Sequence, residues 1–308
     1  MKKLFLLCFV LLDCSQLSQA QTSSTVKAQA MAAYNAKSYK ASGRLFDQAL
    51  KDQGAKPTGT DYYNAACTWA LAGNATKAFG YLDQATAGGW DDVAHLKQDA
   101  DLAGLHPDKR WLATVQKLEA AVAKADAKLN QPLKKELAAI YVTDQGTRSK
   151  MDSVQKNFTM QSPQWEALMA DMKTTDERNT KRVVEMIEQH GWPGNNLVGR
   201  RGSTAAFLVI QHADAEIQRK YLPLMRKAAA KGELAKSELA LLEDRVLVRQ
   251  GKLQIYGSQL RNNSDTGRME FFPIEDEAHV DERRSTMGLG TLTEYAKHFG
   301  LEYVPKKN

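Results

Sequence analysis

Cysteine is scarce in this chain, three in 308 residues, and two of them, Cys8 and Cys14, lie close to the amino terminus. The body of the chain keeps Cys67 alone, so no internal disulfide can form there and stability has to come from packing. Long apolar runs are missing as well. The run from Leu4 to Leu12 is too short to cross a bilayer and no later run is longer, which excludes a helical membrane span. Lys and Arg number 42 against 36 Asp and Glu, but the basic residues are scattered among acidic ones. That is the pattern of a solvated surface and not of a nucleic-acid footprint. Paired His or Cys motifs of metal sites are absent, and no serine sits in a nucleophile elbow. Gly199 and Gly202, with Arg200-Arg201 between them, match neither a P-loop nor a dinucleotide fingerprint and are expected to form a loop. Neither a cofactor nor a metal is therefore expected. What remains is a globular composition, 43% hydrophobic and 25% charged, long enough for two ordinary domains.

The first residues have the pattern of an export signal. Lys2 and Lys3 form a basic start, Leu4 to Leu12 an apolar stretch, and Ser18-Gln19-Ala20 a small-residue cleavage site. Residues 1–20 are expected to be a signal peptide cleaved before Gln21, giving a periplasmic or secreted protein and lowering the formal charge from +6 to +5. Leu11-Leu12-Asp13-Cys14 loosely resembles a lipoprotein box. Asp13 stands where a small residue belongs, which speaks against lipid anchoring through Cys14. Residues 21–29 read as a flexible terminus, although helical periodicity begins near Val26.

Residues 30–130 carry a weak internal repeat, in which Ser42, Phe46 and Ala49 recur thirty-six positions on as Ala78, Leu82 and Ala85. In the second copy Tyr63-Asn64, Ala66, Trp69, Gly73, Ala78, Leu82 and Ala85 fit a helix-turn-helix unit. Small residues at 66 and 78 permit close approach of two helices, Trp69 fills the gap between them, and Gly73 stops the first. This unit looks like a tetratricopeptide repeat, and the stretch from Trp90 through Trp111 is similar to the segment that closes such arrays in many bacterial proteins. The resemblance implies a module that binds a protein or peptide partner. Cys67 is then a small helix residue, since no basic residue nearby in sequence would activate it. Asp99 and Asp101 read as a helix cap beside a solvated acid, with a cation site as the other reading. Trp111, Val115, Leu118 and Val122 mark one more helix, ending near Pro132.

The second domain, 133–300 with a tail at 301–308, reads as helical with a small β-hairpin near 253–272, so the whole chain is expected to be mainly α. Leu133, Leu137, Ile140 and Tyr141 form one helix face, and Asp144 extends it with Arg148 four residues on. Ser162-Pro163 opens a long helix whose inward stripe includes Asn179, an amide that needs partners inside. Ser203 is expected to cap a helix that is apolar all round from Ala205 to Ile210, a sign of central burial, and that delivers Gln211 and His212 to the interior. Asp214 then begins the next helix, and Ser237 caps another that carries Asp244-Arg245. From Leu253 to Leu260 the alternation suits a strand with Gln254, Tyr256 and Ser258 on one face, paired through a turn at 262–267 with a strand at 269–272. Thr291 and Glu294 form a capping box for a last helix.

Taken together, Asp144-x-x-x-Arg148, Gly191-Trp192-Pro193, Gln211-His212-Ala213-Asp214, Asp244-Arg245-Val246 and Gln254-x-Tyr256-Gly257-Ser258-Gln259 resemble an uncharacterised bacterial domain family of unknown function. The resemblance spans most of 133–297 and implies a shared polar constellation without supplying a reaction. Two functional readings follow. In the first, an exported interaction module is joined to a domain that binds a small molecule or peptide in a polar pocket around His212. In the second, the pocket is a metal-independent hydrolase or group-transfer site. There His212 would be the general base and Asp144 or Asp214 its orienting acid, with Arg148 or Arg245 as an anion clamp. Asn179, Gln211, Asp244, Gln254, Tyr256 and Gln259 complete the set of candidate ligand-binding residues in both.

Overall fold

The structure, a computed structural model, describes residues 26–51, 57–263 and 267–304. The expected signal peptide with Cys14, the tip of the hairpin turn at 264–266 and the end of the tail from 305 lie outside these residues. The described chain is mainly α with one small antiparallel sheet. It divides into two compact units, the first ending at Asp126 and the second beginning at Ala127. None of the described helices is long and apolar enough to cross a membrane.

The first unit is built of α1 (residues 26–35), α2 (Tyr39–Lys51), α3 (Gly59–Leu71), α4 (Ala75–Ala87), α5 (Val93–Gln98), a 3-10 turn (Ala100–Leu105) and α6 (Arg110–Asp126). Thr58 and Asp61 close a capping box at the start of α3, and Gly73, with φ of 75°, turns the chain into α4 behind the Asn74 cap. The positions that recur in sequence all face inward: Ser42, Phe46 and Ala49 on α2 and Ala78, Leu82 and Ala85 on α4 are buried. Trp69 is buried between α2 and α4. Gly43 lies against its ring, so closely that a Cβ there would come within 2.7 Å. The indole N–H donates to Asp47 Oδ1 at 2.8 Å, and the Tyr81 hydroxyl donates to the same atom at 2.7 Å. One carboxylate thereby ties three helices together while both ring systems stay in the apolar layer.

The second unit contains α7 (Gln131–Arg148), α8 (Met151–Asn157), α9 (Pro163–His190), α10 (Asn195–His212), α11 (Ala215–Ala230) and α12 (Lys236–Arg249). These are followed by β1 (Leu260–Asn262), β2 (Met269–Phe271), a 3-10 turn (Glu277–His279), α13 (Val280–Thr286) and α14 (Leu292–Lys297). The second half of α10 is the central element. It packs against α7, α9, α11 and α12, and Ala205, Ala206, Phe207, Val209 and Ile210 are all buried in one core with Leu137, Met186, Met225 and Leu242. An apolar run with no polar face has to be enclosed on every side, which is what these helices do.

Four local expectations are corrected. The stretch around Gly199 is not a loop: α10 already starts at Asn195 and is broken at Gly199, whose φ of 74° and ψ of 167° only glycine adopts readily. Ser203 therefore does not cap; it lies inside the helix and donates its hydroxyl to the Glu233 carbonyl at 3.0 Å. Ser237 lies inside α12, which begins at Lys236 with Ala235 at its cap position. The segment 253–259 is not a strand either. Among the described residues, only a single parallel bridge, Gln254 to Ile274, and the three-residue pairing of Leu260–Asn262 with Met269–Phe271 are formed. At Gly257 the backbone turns through φ of 69°, because the neighbouring amides are drawn to a carboxylate described next.

Candidate functional site

The last turn of α7 carries Asp144, 1% exposed although it bears a carboxylate. A buried carboxylate is tolerated only with compensating donors, and three side chains supply them. His212 Nδ1 lies 3.0 Å from Oδ1, Arg148 Nη1 donates to Oδ1 at 3.1 Å, and Gln145 Nε2 donates to Oδ2 at 2.6 Å. Arg148 turns its other terminal nitrogen onto both oxygens of Asp176 on α9, each at 2.9 Å. A chain of polar contacts, Asp176, Arg148, Asp144 and His212, thus crosses from α9 through α7 to the end of α10. Burial pushes the Asp144 carboxyl up, but the His212 contact, the Arg148 charge and the Gln145 amide outweigh it and hold the group below the ordinary carboxylate range. The group is ionised and can only accept, so the neutral His212 ring must carry its proton on Nδ1 and present Nε2 as a free acceptor. The imidazole keeps 18% of its side-chain surface exposed.

Asp214 stands outside this group: it is exposed and caps α11, its Oδ1 accepting the Ile217 amide at 2.9 Å. Asn179 is buried on α9, and its amide pairs with the Thr143 hydroxyl at 3.3 Å, beside Asp144.

Asp244, Gln254 and Tyr256 form a second constellation. The fully buried Asp244 carboxylate accepts the backbone amides of Ile255 at 2.7 Å, Tyr256 at 3.0 Å and Ser258 at 2.9 Å, wrapping the 255–258 backbone around itself. Gln254 is also fully buried, and its side chain holds both the N–H and the C=O of Gln259 and the carbonyl of Phe272. The Tyr256 hydroxyl donates to Glu243 Oε2 at 3.3 Å. The polar atoms of Asp244 and Gln254 are thereby committed to backbone, so both residues shape the segment that presents Gln259.

Gln259 faces Arg245. Its Oε1 accepts from Arg245 Nε at 3.2 Å, and Arg245 Nη1 donates to the Gln211 carbonyl at 2.8 Å. Of the residues singled out from sequence, Asp144, Arg148 and His212 meet directly, Gln211, Arg245 and Gln259 form an adjoining set, and Asp244, Gln254 and Tyr256 support it.

Sequence reasoning missed Asp176, Gln218, Arg249, Arg284 and Tyr295. Gln218 is fully buried and donates to the Gln211 carbonyl at 2.8 Å, while Arg249 Nη1 donates to Ala213 O at 3.1 Å and to Gln218 Oε1 at 3.0 Å. Arg284, also buried, donates to Tyr256 O at 2.7 Å, and the Tyr295 hydroxyl to Ser258 O at 3.1 Å. Asp176 had a signal, three positions before Asn179 on the same helix face. The others act on backbone carbonyls, which leave no pattern in sequence.

Asp144, Asp176 and His212 each offer a donor atom within 4.8 Å of the other two, a spacing that suits a metal ion. Arg148 already bonds both acids, so the positive charge they require is supplied by the protein itself. In the first unit Cys67, Asp99 and Asp101 make a similar cluster. There Asp99 accepts the Tyr63 hydroxyl at 2.7 Å, Asp101 the Tyr34 hydroxyl at 2.5 Å, and burial with the two acids pushes the Cys67 thiol up, keeping it protonated and inert. Asp99 also caps the following 3-10 turn through the Asp101 amide.

A family model described as "Family of unknown function (DUF6624)" matches residues 131–306, more than half of the 308-residue chain. No curated protein and no solved structure matches.

Proposed function

Because the chain belongs to the DUF6624 family, whose function is unknown, its activity has to be read from the site, and we propose that the second unit performs metal-independent acid-base chemistry at His212, hydrolysis or group transfer. One observation carries this reading: the 3.0 Å contact between His212 Nδ1 and a buried, ionised Asp144 orients the ring as a base, with Nε2 unbonded among the described residues and the imidazole partly exposed. An orienting carboxylate behind a partly exposed imidazole is the arrangement general-base catalysis requires. Arg148 and Asp176 hold Asp144 in place and are positioning residues.

The first unit, in the same proposal, is a tetratricopeptide-like module that binds a protein or peptide partner, supported by the burial of every recurring small and aromatic position. Export to the periplasm or beyond rests on the sequence pattern of residues 1–20.

The test replaces His212 by Asn and by Ala and follows both folding and chemistry. Wild type and variants are incubated with a fractionated small-metabolite extract, and consumed and formed species are read by mass spectrometry. The proposal predicts at least one conversion by wild type that both folded variants lose. Equal conversion by wild type and variants, or a collapse of thermal stability in His212→Asn, would make the dyad a structural tie.

A further inference from the structure

The two arginines named as anion clamps are not equivalent. The charge of Arg148 is answered by Asp144 and Asp176. Arg245 has only neutral partners, the Gln211 carbonyl and the Gln259 amide oxygen, and among the described residues no carboxylate reaches it and Nη2 is unbonded. Its sequence neighbours offer nothing: Asp244 is occupied by three backbone amides, and Glu243 pairs with Arg226. Arg249, one turn further along α12, is likewise bonded to neutral acceptors. Part of this is helix capping, since Gln211 O and Ala213 O lie at the end of α10. A helix C-terminus, however, is worth only about half a negative charge, and two guanidinium groups share it. Arg249 is exposed and its charge is solvated, whereas Arg245 is largely enclosed, and Arg249 and Arg148 both act on it as like charges. Arginine does not escape by losing its proton, so a largely buried guanidinium without a counter-charge calls for an anion from outside.

The second observation is independent. Gln211 is 5% exposed, and among the described residues its side-chain Oε1 has no hydrogen-bond partner. Buried acceptors are almost always satisfied, so this oxygen points to a ligand that brings an O–H or N–H. Gln211 is the residue whose carbonyl holds Arg245, and His212 follows it directly in the chain.

We infer that Arg245 and Gln211 form a subsite for an oxyanion group, carboxylate or phosphate, that lies beside a hydroxyl or amine donor on the molecule His212 acts on, an inference that rests on the acid-base reading of His212. With Nε held by Gln259 and Nη1 by the Gln211 carbonyl, the guanidinium is fixed in orientation and its unbonded Nη2 is left to donate to either oxyanion, an orientation that a flexible lysine would not keep.

The probes are inorganic phosphate and glycolate, titrated separately into the full chain while the arginine Nε–Hε signals are followed by 15N NMR. The Arg245 signal is identified by its loss in Arg245→Lys. The expected result is a saturable shift of that signal with at least one probe, and an affinity, measured in both proteins by isothermal titration calorimetry, weakened at least about tenfold in Arg245→Gln. A response to phosphate alone assigns a phosphoryl group; a response to glycolate alone assigns a carboxylate. No movement of the wild-type signal with either probe overturns the inference, and this holds even where Arg245→Gln fails to fold. Unchanged affinity in Arg245→Gln overturns it as well. His212→Asn separates the two readings: it retains oxyanion affinity, so full conversion by that variant would sink the acid-base proposal and leave the oxyanion subsite standing.

Discussion

His212 Nδ1 and Asp144 Oδ1 lie 3.0 Å apart although the residues are 68 positions apart in the chain, on the closing turns of α10 and α7. The contact fixes the ring tautomer and joins two helices of the second core, so its removal has both a stability and a chemical consequence.

Asp144→Asn removes the charge and keeps the size of the side chain. Breaking one side of a buried ion-paired cluster costs about 3–5 kcal/mol. The low end, about 3 kcal/mol, is expected because Arg148 retains Asp176 as a partner. Urea unfolding measures it, and a loss below about 1 kcal/mol would show that the cluster contributes little.

The same carboxyl sets a pH dependence. Its folded value is depressed, so as pH falls the unfolded chain takes up the proton first. The contribution is fully present above the unfolded value of about 3.9 and is lost as pH falls through the folded value. Below about pH 4 the unfolding free energy of wild type should therefore drop more steeply than that of Asp144→Asn. Parallel curves would contradict this.

Asp244→Ala should leave the amides of Ile255, Tyr256 and Ser258 without their acceptor. Each unsatisfied buried donor costs about 1–3 kcal/mol, so a loss of at least about 3 kcal/mol is expected. Hydrogen exchange at these three amides should accelerate more than exchange in α10, which would show that the damage begins locally.

Gly257→Ala meets two obstacles at once. The φ of 69° is unfavourable for any residue with a Cβ, and the new methyl would lie 2.9 Å from Leu292 Cδ1 and 3.0 Å from Ile274 Cδ1. A cost of about 2 kcal/mol or more follows. In the first unit Gly43→Ala drives a methyl into the Trp69 ring, and about 1–3 kcal/mol is expected there. Trp69 fluorescence reports that change directly, and an unaltered emission and midpoint would refute the close approach of α2 to α3.

Much of this was legible in the sequence where one local rule applied. Ala205 to Ile210 has no polar face and is enclosed on all sides; Thr291 and Glu294 form the expected box. The 36-residue recurrence marks positions that are buried in both copies. Asp144 and Arg148 were visible because i and i+4 share a helix face. The misread segment, 253–259, shows the limit. Gln254, Tyr256 and Ser258 alternate as in a strand, but their amides and side chains answer to Asp244, Phe272 and Glu243, contacts that a periodicity cannot contain. Asp214 looked like a partner for His212 from its spacing; it is a helix cap, a role the same spacing serves equally well.

The most direct test of the acid-base account is the tautomer of His212, read from its ring 15N shifts at a pH where the imidazole is neutral. The account predicts a proton on Nδ1, directed at Asp144, and a pyridine-type Nε2 facing outward. A proton on Nε2 would leave the ring without a base at its open face and would contradict the proposal.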